Sequence, residues 1–291
     1  MEFVMILVDF SQVMISNIMM QLANNESKLE EDMVRHMVLS SLRLYKRKFG
    51  NEYGEIVICA DGPSYWRREI YPHYKAGRKK AREKSAHDWS LIFNALHKIR
   101  DEIADNMPYP VLRFERAEAD DIIGAMCHQF GMHGLLADPK ILIISGDKDF
   151  AQLQKYDNVQ QYSPITKKYI VPDVNPERFK QYHILQGDVG DGVPNFLSAD
   201  DTFVSGGRQK PLPKKKLEEW TLMQPEEFCQ GEMLRNYHRN KMMVDLDCIP
   251  DDLQKDIIST YATYNRNPRS KIFNYFIEHR LRQLTEAISE F

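Results

Sequence analysis

Short apolar runs alternate with amphipathic stretches through the first half of the chain. Three of these runs, 3–8, 55–60 and 141–146, are each followed at once by aspartate. Apolar strands that alternate with helical patterns are typical of a parallel α/β sheet, in which helices connect successive strands. Because the carboxyl ends of parallel strands meet along one edge, the side chains that follow the three runs are expected to converge there.

The spacing of apolar positions predicts the remaining elements. Further strands are expected over 111–114 and 159–162, and helices over 27–47, 91–107 and 122–130. After about residue 175 only helical patterns remain, over 179–185, 216–223, 225–240, 250–264 and 269–288. An apolar stripe along the last helix is expected to be core; it comprises Ile272, Phe273, Phe276, Ile277, Leu281, Leu284 and Ile288. The predicted fold class is therefore α/β: a central, mostly parallel sheet flanked by helices over residues 1–178, followed by a helical C-terminal subdomain over 179–291.

Acidic residues collect at the predicted sheet edge. They are Asp9, Asp61, Asp147 and Asp149 after the three runs, Glu118, Asp120 and Asp121 at a helix start, and Asp188 and Asp191 in a glycine-rich turn. Any one of them is consistent with a helix N-cap or a solvated turn. Gathered together they require a cation, since two unit charges ~4 Å apart repel by roughly 4 kcal/mol at an effective dielectric of about 20. Oxygen ligands without a His or Cys cluster favour Mg²⁺ or Mn²⁺.

The net charge of −3 conceals two basic segments. Residues 64–84 hold eight Lys and Arg against two Glu, and the cations alternate with Tyr65, Trp66, Tyr71 and Tyr74. A nucleic-acid strand can stack its bases on such rings while the cations follow its phosphates; the alternative is a solvated basic loop. Because Ile70 is the only branched aliphatic residue between 64 and 90, this segment is expected to be mobile. The second cluster lies at the end of a Gly- and Pro-rich loop over 194–213 and directly after it, and it comprises Arg208, Lys210, Lys214, Lys215 and Lys216.

Several classes of protein are excluded or disfavoured. No run approaches 18 apolar residues, and the first residues lack the pattern of a secretory signal, so a cytoplasmic protein with no membrane contact is expected. The four cysteines form no C-x-x-C pair, which argues against a disulfide framework or a zinc ribbon. The sequence has no P-loop, G-x-S-x-G or H-E-x-x-H motif. The nine histidines are scattered, and each is expected to be a surface or core residue.

Seven segments, in this order, resemble the 5′ nuclease family, which includes flap endonucleases, the 5′ nuclease domains of bacterial DNA polymerases, and bacteriophage 5′ exonucleases. They are Val8–Gln12, Cys59–Gly62, Tyr65–Arg68, Tyr74–Arg78, Ala117–Ile123, Ile144–Phe150 and Gly187–Asp191. The resemblance extends from about residue 4 to 290. Three further segments, Lys80–Glu83, Val244–Asp251 and Ile288–Phe291, are most similar to the ribonuclease H branch of this family found in T-even bacteriophages.

The resemblance implies a PIN-like 5′ nuclease core with a basic arch over 64–90, and it implies roles for the acidic residues. Asp9, Asp61, Glu118, Asp120 and Asp147 would hold a first metal ion; Asp149, Asp188 and Asp191 would hold or orient a second; Asp121 would support them. Lys75 and Arg78 would contact the scissile phosphate with Asp147 at the catalytic centre, and Tyr74, Lys79 and Arg82 would bind the nucleic acid beside them. The helix-three-turn-helix expected over 184–220 departs from the family pattern, although Lys214, Lys215 and Lys216 could contact phosphates.

The expected function is therefore a two-metal 5′ to 3′ nuclease that uses two Mg²⁺ ions, with Mn²⁺ as a substitute. Its substrates would be RNA primers in RNA·DNA hybrids and duplex, forked or flapped DNA during replication. The resemblance implies a replicative single-strand-binding protein and a sliding clamp as partners of a monomer. Two alternatives are weaker: a structure-specific DNA-binding protein without catalysis, and an aspartyl phosphatase, whose D-x-D motif would need an acid where Ser11 stands.

Overall fold

The computed structural model describes residues 4–24, 29–134 and 140–291. Its centre is a six-stranded sheet in the order β3-β2-β1-β4-β5-β6, formed by β1 (Met5–Asp9), β2 (Glu55–Cys59), β3 (Val111–Leu112), β4 (Ile141–Ile144), β5 (Val159–Ser163) and β6 (Lys168–Ile170). The first five strands are parallel, and β6 pairs antiparallel with β5. The predicted α/β fold class with a mostly parallel sheet is therefore confirmed, whereas the division of the chain at residue 178 stays a prediction. Residue 3 of the first predicted strand and residues 27–28 of the first predicted helix lie outside the described residues.

Thirteen α-helices lie within the described residues. They are α1 (Phe10–Asn24), α2 (Glu31–Tyr53), α3 (Trp66–Ile70), α4 (Ala76–Glu83), α5 (Trp89–Asn106), α6 (Ala119–Phe130), α7 (Pro176–Gln186), α8 (Lys214–Trp220), α9 (Pro225–Phe228), α10 (Glu232–Val244), α11 (Asp251–Ala262), α12 (Ser270–Glu278) and α13 (Arg282–Glu286). Short 3₁₀ helices cover Lys148–Lys155, Leu246–Cys248 and Ile288–Glu290. None of the helices in this described part is long and apolar enough to cross a membrane.

The strand order reverses beside β1, because β2 lies on one side of it and β4 on the other. A crevice at the carboxyl ends of the strands, at such a reversal, is where open α/β sheets bind their ligands. Asp9 ends β1, and the loop that contains Asp147 follows β4. The topology therefore brings the acids of two distant segments to one point.

Apolar side chains cover both faces of the sheet. One cluster packs Ile6 and Ile58 against helices α1, α2, α5 and α12, and the other packs Leu7 and Ile143 against α6 and α11. A third cluster joins the C-terminal helices to the basic segment, because it contains Tyr71 as well as Leu217 of α8 and Tyr237 of α10. This third cluster fixes the helical part beside the carboxyl edge of the sheet.

Three details of the predicted elements are wrong. Helix α1 was not predicted, although its apolar residues recur at helical spacing, because β1 runs directly into it without a turn residue. The edge strand β6 was not predicted either. The helices predicted over 225–240 and 269–288 are each broken, at Gly231 and Arg280, which have φ of +56° and +55°. Phe273 and Ile277 of the expected core stripe lie in α12 and are more than half exposed, so the stripe is not core at these two positions.

The basic segment 64–90 is only partly a solvated arch. Its first half contains α3 and includes three buried aromatic residues: Trp66, Tyr71 and Tyr74 are each 2% exposed. Its second half forms α4, in which no residue is buried. The alternative interpretation, a solvated basic loop, is therefore wrong for Trp66, Tyr71 and Tyr74, whose rings pack into the two neighbouring apolar clusters. The mobility of the segment stays a prediction.

Candidate metal centre

Asp9 and Asp147 are held together by a serine and a glutamine. The Ser145 hydroxyl donates to Asp9 Oδ2 at 2.9 Å and accepts from the Asp147 backbone N–H at 3.1 Å. The Gln12 backbone N–H donates to Asp9 Oδ1 at 3.3 Å, while Gln12 Oε1 accepts from the Gly146 N–H at 3.1 Å. Asp9 thus caps α1, as the alternative interpretation proposed, and also faces the crevice beside Asp147.

Gly62 brings Asp61 against the loop that precedes α6. A Cβ atom at Gly62 would lie 1.9 Å from the Phe114 carbonyl oxygen, so only glycine permits this approach. The Gly62 N–H donates to the Ala117 carbonyl at 2.8 Å, and Asp61 Oδ1 accepts from the Ala119 N–H at 3.0 Å. The acid after β2 and the acidic start of α6 are therefore fixed side by side.

Glu118 lies in a buried network of donors. Its Oε2 accepts from Arg67 Nη1 at 3.0 Å and from the Tyr74 hydroxyl at 2.9 Å, and Lys75 Nζ donates to its Oε1. Arg67 Nη1 also lies 2.8 Å from Asp121 Oδ1, and both carboxylates are at most 1% exposed. Buried charges persist only when they are paired and hydrogen-bonded. Asp121 therefore supports Glu118 through Arg67 and through the backbone hydrogen bond that caps α6.

Asp191 shares the donors of Glu118. The Tyr74 hydroxyl lies 3.0 Å from Asp191 Oδ2, Lys75 Nζ lies 3.5 Å from the same oxygen, and Arg78 pairs with Oδ1. Burial alone would lower the pKa of Lys75, but Glu118 and Asp191 hold it above its usual range. Tyr74 and Lys75 thereby connect the helical part of the chain to the sheet edge.

Acids from three separate segments line one cavity. Asp120 at the start of α6, Asp149 after β4 and Asp191 before the long loop form its walls with Arg67 and Tyr74. The sequence predicted that these carboxylates converge, although it did not show that the C-terminal turn would fold back onto the sheet.

Asp149 and Asp188 lie on either side of His183, which was not among the predicted site residues. One potential ligand atom from each of the three side chains lies within 4.8 Å of the other two, and among the described residues this is the one group of three or more His, Cys, Asp or Glu residues spaced so closely. Burial alone would raise the pKa of Asp188, but the adjacent His183 and Lys148 side chains hold it below its usual range. The position of His183, five residues before Asp188 on the helix that leads to the acidic turn, is the signal that could have identified it.

Three carboxyl groups of the crevice are costly to ionise. Burial raises the pKa of Asp9 to about 7, and Asp61 and Asp147 add to the rise. Burial also raises the pKa of Asp149 to about 7, and it raises the pKa of Asp120 well above its usual range, with Asp147 and Asp9 contributing. The positive side chains of the crevice thus do not offset its negative charge. This all-oxygen set of donors fits a divalent cation, which would favour the ionised form of each carboxyl group.

Comparison with known proteins agrees with this geometry. Residues 5–182 match the family described as 5′-3′ exonuclease, N-terminal resolvase-like domain, and residues 175–291 match the family described as T4 RNase H, C terminal. The chain belongs to the 5′-3′ exonuclease family. It is 36% identical to the ribonuclease H of Enterobacteria phage T4 over 98% of this chain and 95% of that protein. It is 31% identical to a 5′-3′ exonuclease of Aquifex aeolicus over 66% of each chain.

This membership confirms the resemblance and the enzyme class, because the named relatives are nucleases and therefore hydrolases. The fold of this 5′-3′ exonuclease family member also has solved counterparts. A structure of the phage T5 D15 protein co-crystallised with metal ions superimposes with a TM-score of 0.56 at 21% identity, over 88% of this chain and 98% of the T5 chain. At that identity the likeness shows a shared fold.

Beside the acidic cavity, this family member has a basic groove. The groove is lined by Arg68, Pro72, Tyr74, Lys75, Ala76, Arg78, Lys79 and Arg82. Lys79 and Arg82 are exposed, and the Arg82 guanidinium lies 4.8 Å from the centre of the Phe93 ring. Lys75 and Arg78 connect the basic groove with the acidic cavity, because they line the groove and pair with Asp191 of the cavity.

A second groove adjoins Asp188. Its lining includes Lys148 and Lys214. Lys215 and Lys216 are exposed on the same short helix, α8, but do not line this groove, and Lys216 Nζ lies 6.0 Å from the centre of the Trp220 ring. Of the three predicted lysines, Lys214 is thus the one that the structure places beside the acids.

The predicted stacking of bases on Trp66, Tyr71 and Tyr74 is wrong for this structure. All three rings are buried, and their polar atoms have partners within the chain. Trp66 Nε1 donates to Asp121 at 3.1 Å, and the Tyr71 hydroxyl donates to the Asp200 carbonyl at 2.7 Å. These aromatic residues build the wall of the centre instead of the surface that faces a ligand.

Proposed function

We propose that this protein is a metal-dependent 5′ to 3′ nuclease that hydrolyses phosphodiester bonds of RNA primers in RNA·DNA hybrids and of duplex or flapped DNA. One observation carries the proposal: Asp120 and Asp149, two carboxyl groups whose pKa values are raised, line a cavity beside a basic groove. The cations of that groove are Arg68, Lys75, Arg78, Lys79 and Arg82. An acidic centre suits divalent ions, and a basic groove suits the phosphates of a nucleic-acid strand.

The acidic residues divide into two sets of proposed ligands. Asp9, Asp61, Glu118, Asp120 and Asp147 would hold the first ion, and Asp149, Asp188 and Asp191 would hold the second. Two Mg²⁺ ions, or Mn²⁺ in their place, would supply the Lewis acidity that lowers the pKa of water and stabilises a leaving oxygen. The carboxylates fix this chemistry at the sheet edge, since Ser145, Gln12 and backbone N–H groups hold their orientation.

Lys75 and Arg78 are the proposed contacts to the scissile phosphate. The Arg78 side chain is 46% exposed while it pairs with Asp191, so its guanidinium lies at the mouth of the cavity. Lys75 is fixed more firmly, because its side chain is 8% exposed and its backbone adopts φ of +56°. Positive charges held in this way offset the negative charge that grows on a phosphate during displacement.

The proposed substrates, RNA in hybrids and duplex or flapped DNA, are inferred from the names of the relatives. These include a ribonuclease H, a 5′-3′ exonuclease and flap endonucleases. The proposed products are 5′-phosphoryl mononucleotides or short oligonucleotides. The protein is further proposed to be a monomer that acts with a replicative single-strand-binding protein and a sliding clamp.

The test compares wild type with Asp147→Asn on 5′-labelled RNA-primed, nicked and flapped duplexes, with Mg²⁺ or with a chelator. Asp256→Asn is the matched control, because Asp256 is exposed on α11, far in sequence from every proposed ligand. Loss of an ion partner should slow cleavage by at least about a hundredfold, the upper range for groups that support a metal site.

We expect short 5′-labelled products from wild type and from Asp256→Asn in Mg²⁺, and none with the chelator. Asp147→Asn should bind the forked duplex as tightly as wild type in a gel-shift assay. Cleavage by Asp147→Asn at the wild-type rate, or cleavage by wild type with the chelator, would contradict the proposal. Binding of the fork by wild type without any cleavage in Mg²⁺ would favour a non-catalytic DNA-binding protein.

A further inference from the structure

Three elements meet at His183. Asp149 lies in the 3₁₀ helix after β4, His183 in the last turn of α7, and Asp188 two residues after that helix ends. The turn depends on Gly187, which has φ of +67° and whose Cβ would lie 2.4 Å from the Val193 carbonyl oxygen. Because Gly187 reverses the chain, the Asp188 carboxylate returns to face the imidazole of the preceding helix.

The imidazole lies between two carboxylates without a well-formed hydrogen bond to either. His183 Nδ1 lies 3.4 Å from Asp149 Oδ1, and His183 Nε2 lies 3.3 Å from Asp188 Oδ2. The His183 side chain is 5% exposed, and both Asp149 Oδ1 and His183 Nε2 are buried with no hydrogen-bond partner. Buried polar atoms are rarely left in this state, so these two atoms point to a bound group.

The spacing suits an ion better than it suits a hydrogen bond. Metal–nitrogen and metal–oxygen bonds of about 2.1 Å place neighbouring ligand atoms roughly 3.0–3.4 Å apart in octahedral or tetrahedral sites. Each nitrogen–oxygen separation falls in that range, Nε2 to Asp188 as well as Nδ1 to Asp149, and one ion would use one of these two nitrogens. The ring of Phe179 packs edge-on at 5.9 Å between centres and keeps the imidazole turned towards the acids.

We propose that one ring nitrogen of His183 is a ligand in the second ion site, beside Asp149 and Asp188, and that it shifts the preference of that site from Mg²⁺ towards Mn²⁺ and Zn²⁺. This inference rests on the proposed metal-dependent function. Mg²⁺ prefers oxygen donors, whereas an imidazole nitrogen favours later first-row ions. The other ring nitrogen would face a carboxylate, which is the usual support of a metal-bound histidine.

A purely structural role for His183 makes a different prediction. As a positioning residue it would hold the two carboxylates through charge or hydrogen bonds, as Lys148 does for Asp188 at 2.8 Å. A bound ion would then have oxygen ligands alone. The two roles differ in one directly measurable property, the presence of nitrogen in the coordination shell.

The experiment is pulsed electron paramagnetic resonance of the full-length protein loaded with Mn²⁺. Wild type should show the ¹⁴N modulation of a directly coordinated imidazole. His183→Asn should lose this modulation, and the control His238→Asn, whose ring is exposed on α10, should keep it. Calorimetric titration should show that His183→Asn weakens Mn²⁺ binding at one site by at least about tenfold and changes Mg²⁺ binding less.

Wild-type protein that binds Mn²⁺ without a coordinated ¹⁴N signal would overturn the inference, and this result needs no variant to fold. Retention of the signal in His183→Asn would also overturn it. The nuclease assay with Asp147→Asn separates this failure from that of the proposed function. Mg²⁺-dependent cleavage without a nitrogen ligand would refute the role of His183 alone, whereas metal-independent cleavage would refute both.

Discussion

At the scale of single residues, the centre depends on pairing between buried charges. Arg67 is 2% exposed and is the shared cation of Glu118 and Asp121, and its Nε donates to the Met243 carbonyl at 2.9 Å. Replacing one partner of such a network leaves the others buried and uncompensated. Arg67 therefore stabilises the fold and orients a proposed metal ligand at once.

We expect Arg67→Met to lower the free energy of unfolding by about 3–5 kcal/mol, measured by urea denaturation. The matched control is Arg282→Met, which removes an arginine that is 91% exposed and lies 3.4 Å from Glu286. A surface pair of this kind contributes less than about 1 kcal/mol. Equal effects of the two substitutions would show that the buried network does not stabilise the fold.

The sequence predicted the carboxylates better than it predicted their partners. Asp9, Asp61 and Asp147 follow apolar strands, so the geometry of a parallel sheet alone brings them together. Arg67 and His183 meet their acids through contacts between segments remote in sequence, and no local pattern marks such contacts. Tyr74 illustrates the same limit, because its ring was assigned to the ligand and in fact packs inside.

At the scale of elements, loops with little conformational choice set the geometry of the centre. The β2 loop approaches the backbone before α6 so closely that only Gly62 fits. Gly77 lies near the start of the exposed helix α4, where a Cβ atom would have no neighbour within 4 Å. Replacement by alanine should therefore destabilise the folded protein at Gly62 and stabilise it at Gly77.

Gly62→Ala should cost at least about 1–3 kcal/mol, as overpacking does in a well-packed region. It should also slow Mg²⁺-dependent cleavage, because Asp61 moves with the loop. Gly77→Ala should raise the free energy of unfolding by about 0.5–1 kcal/mol, since glycine is unfavourable within a helix. Urea denaturation of both variants checks the pair, and a stable, fully active Gly62→Ala protein would contradict this account of the loop.

The ends of helices and strands were predictable where the sequence has a glycine or another turn residue, and unpredictable where it has none. Gly187 ends α7 as glycine commonly ends helices, whereas β1 passes into α1 at Phe10 with no intervening turn residue. Arg280 adopts φ of +55° and divides two helices that one apolar stripe had joined. The pattern of apolar positions does not predict a left-handed backbone conformation at an arginine, because it records only which side chains are apolar.

At the scale of the whole molecule, Asp247 ties the helical part to the sheet. Lys155, from the 3₁₀ helix after β4, and Lys180, from α7, both pair with its carboxylate, and His128 Nε2 lies 3.6 Å away. Burial alone would raise the pKa of Asp247, but hydrogen bonds from Lys155 and Lys180 lower it to about 2. Because the pKa in the folded state lies below the ordinary value of 3.8, the ionised carboxylate stabilises the folded protein.

This stabilisation should be complete above about pH 4 and should be lost as the pH falls towards about 2, where the folded-state carboxylate protonates. Asp247→Asn should therefore be less stable than wild type at pH 6, and the difference in unfolding free energy should shrink below pH 4. Urea denaturation of both proteins over this range measures it. A difference that grows with acidity would contradict the predicted sign.

The central claim is that the carboxylates of the sheet edge bind the ions on which cleavage depends. Counting bound Mn²⁺ by the loss of its free paramagnetic resonance signal tests this most directly, with wild type, Asp147→Asn and Asp256→Asn titrated side by side. We predict two ions for wild type and for Asp256→Asn, and at most one for Asp147→Asn at the same free Mn²⁺ concentration. Binding by Asp147→Asn that equals wild type, or no binding by wild type, would contradict the account.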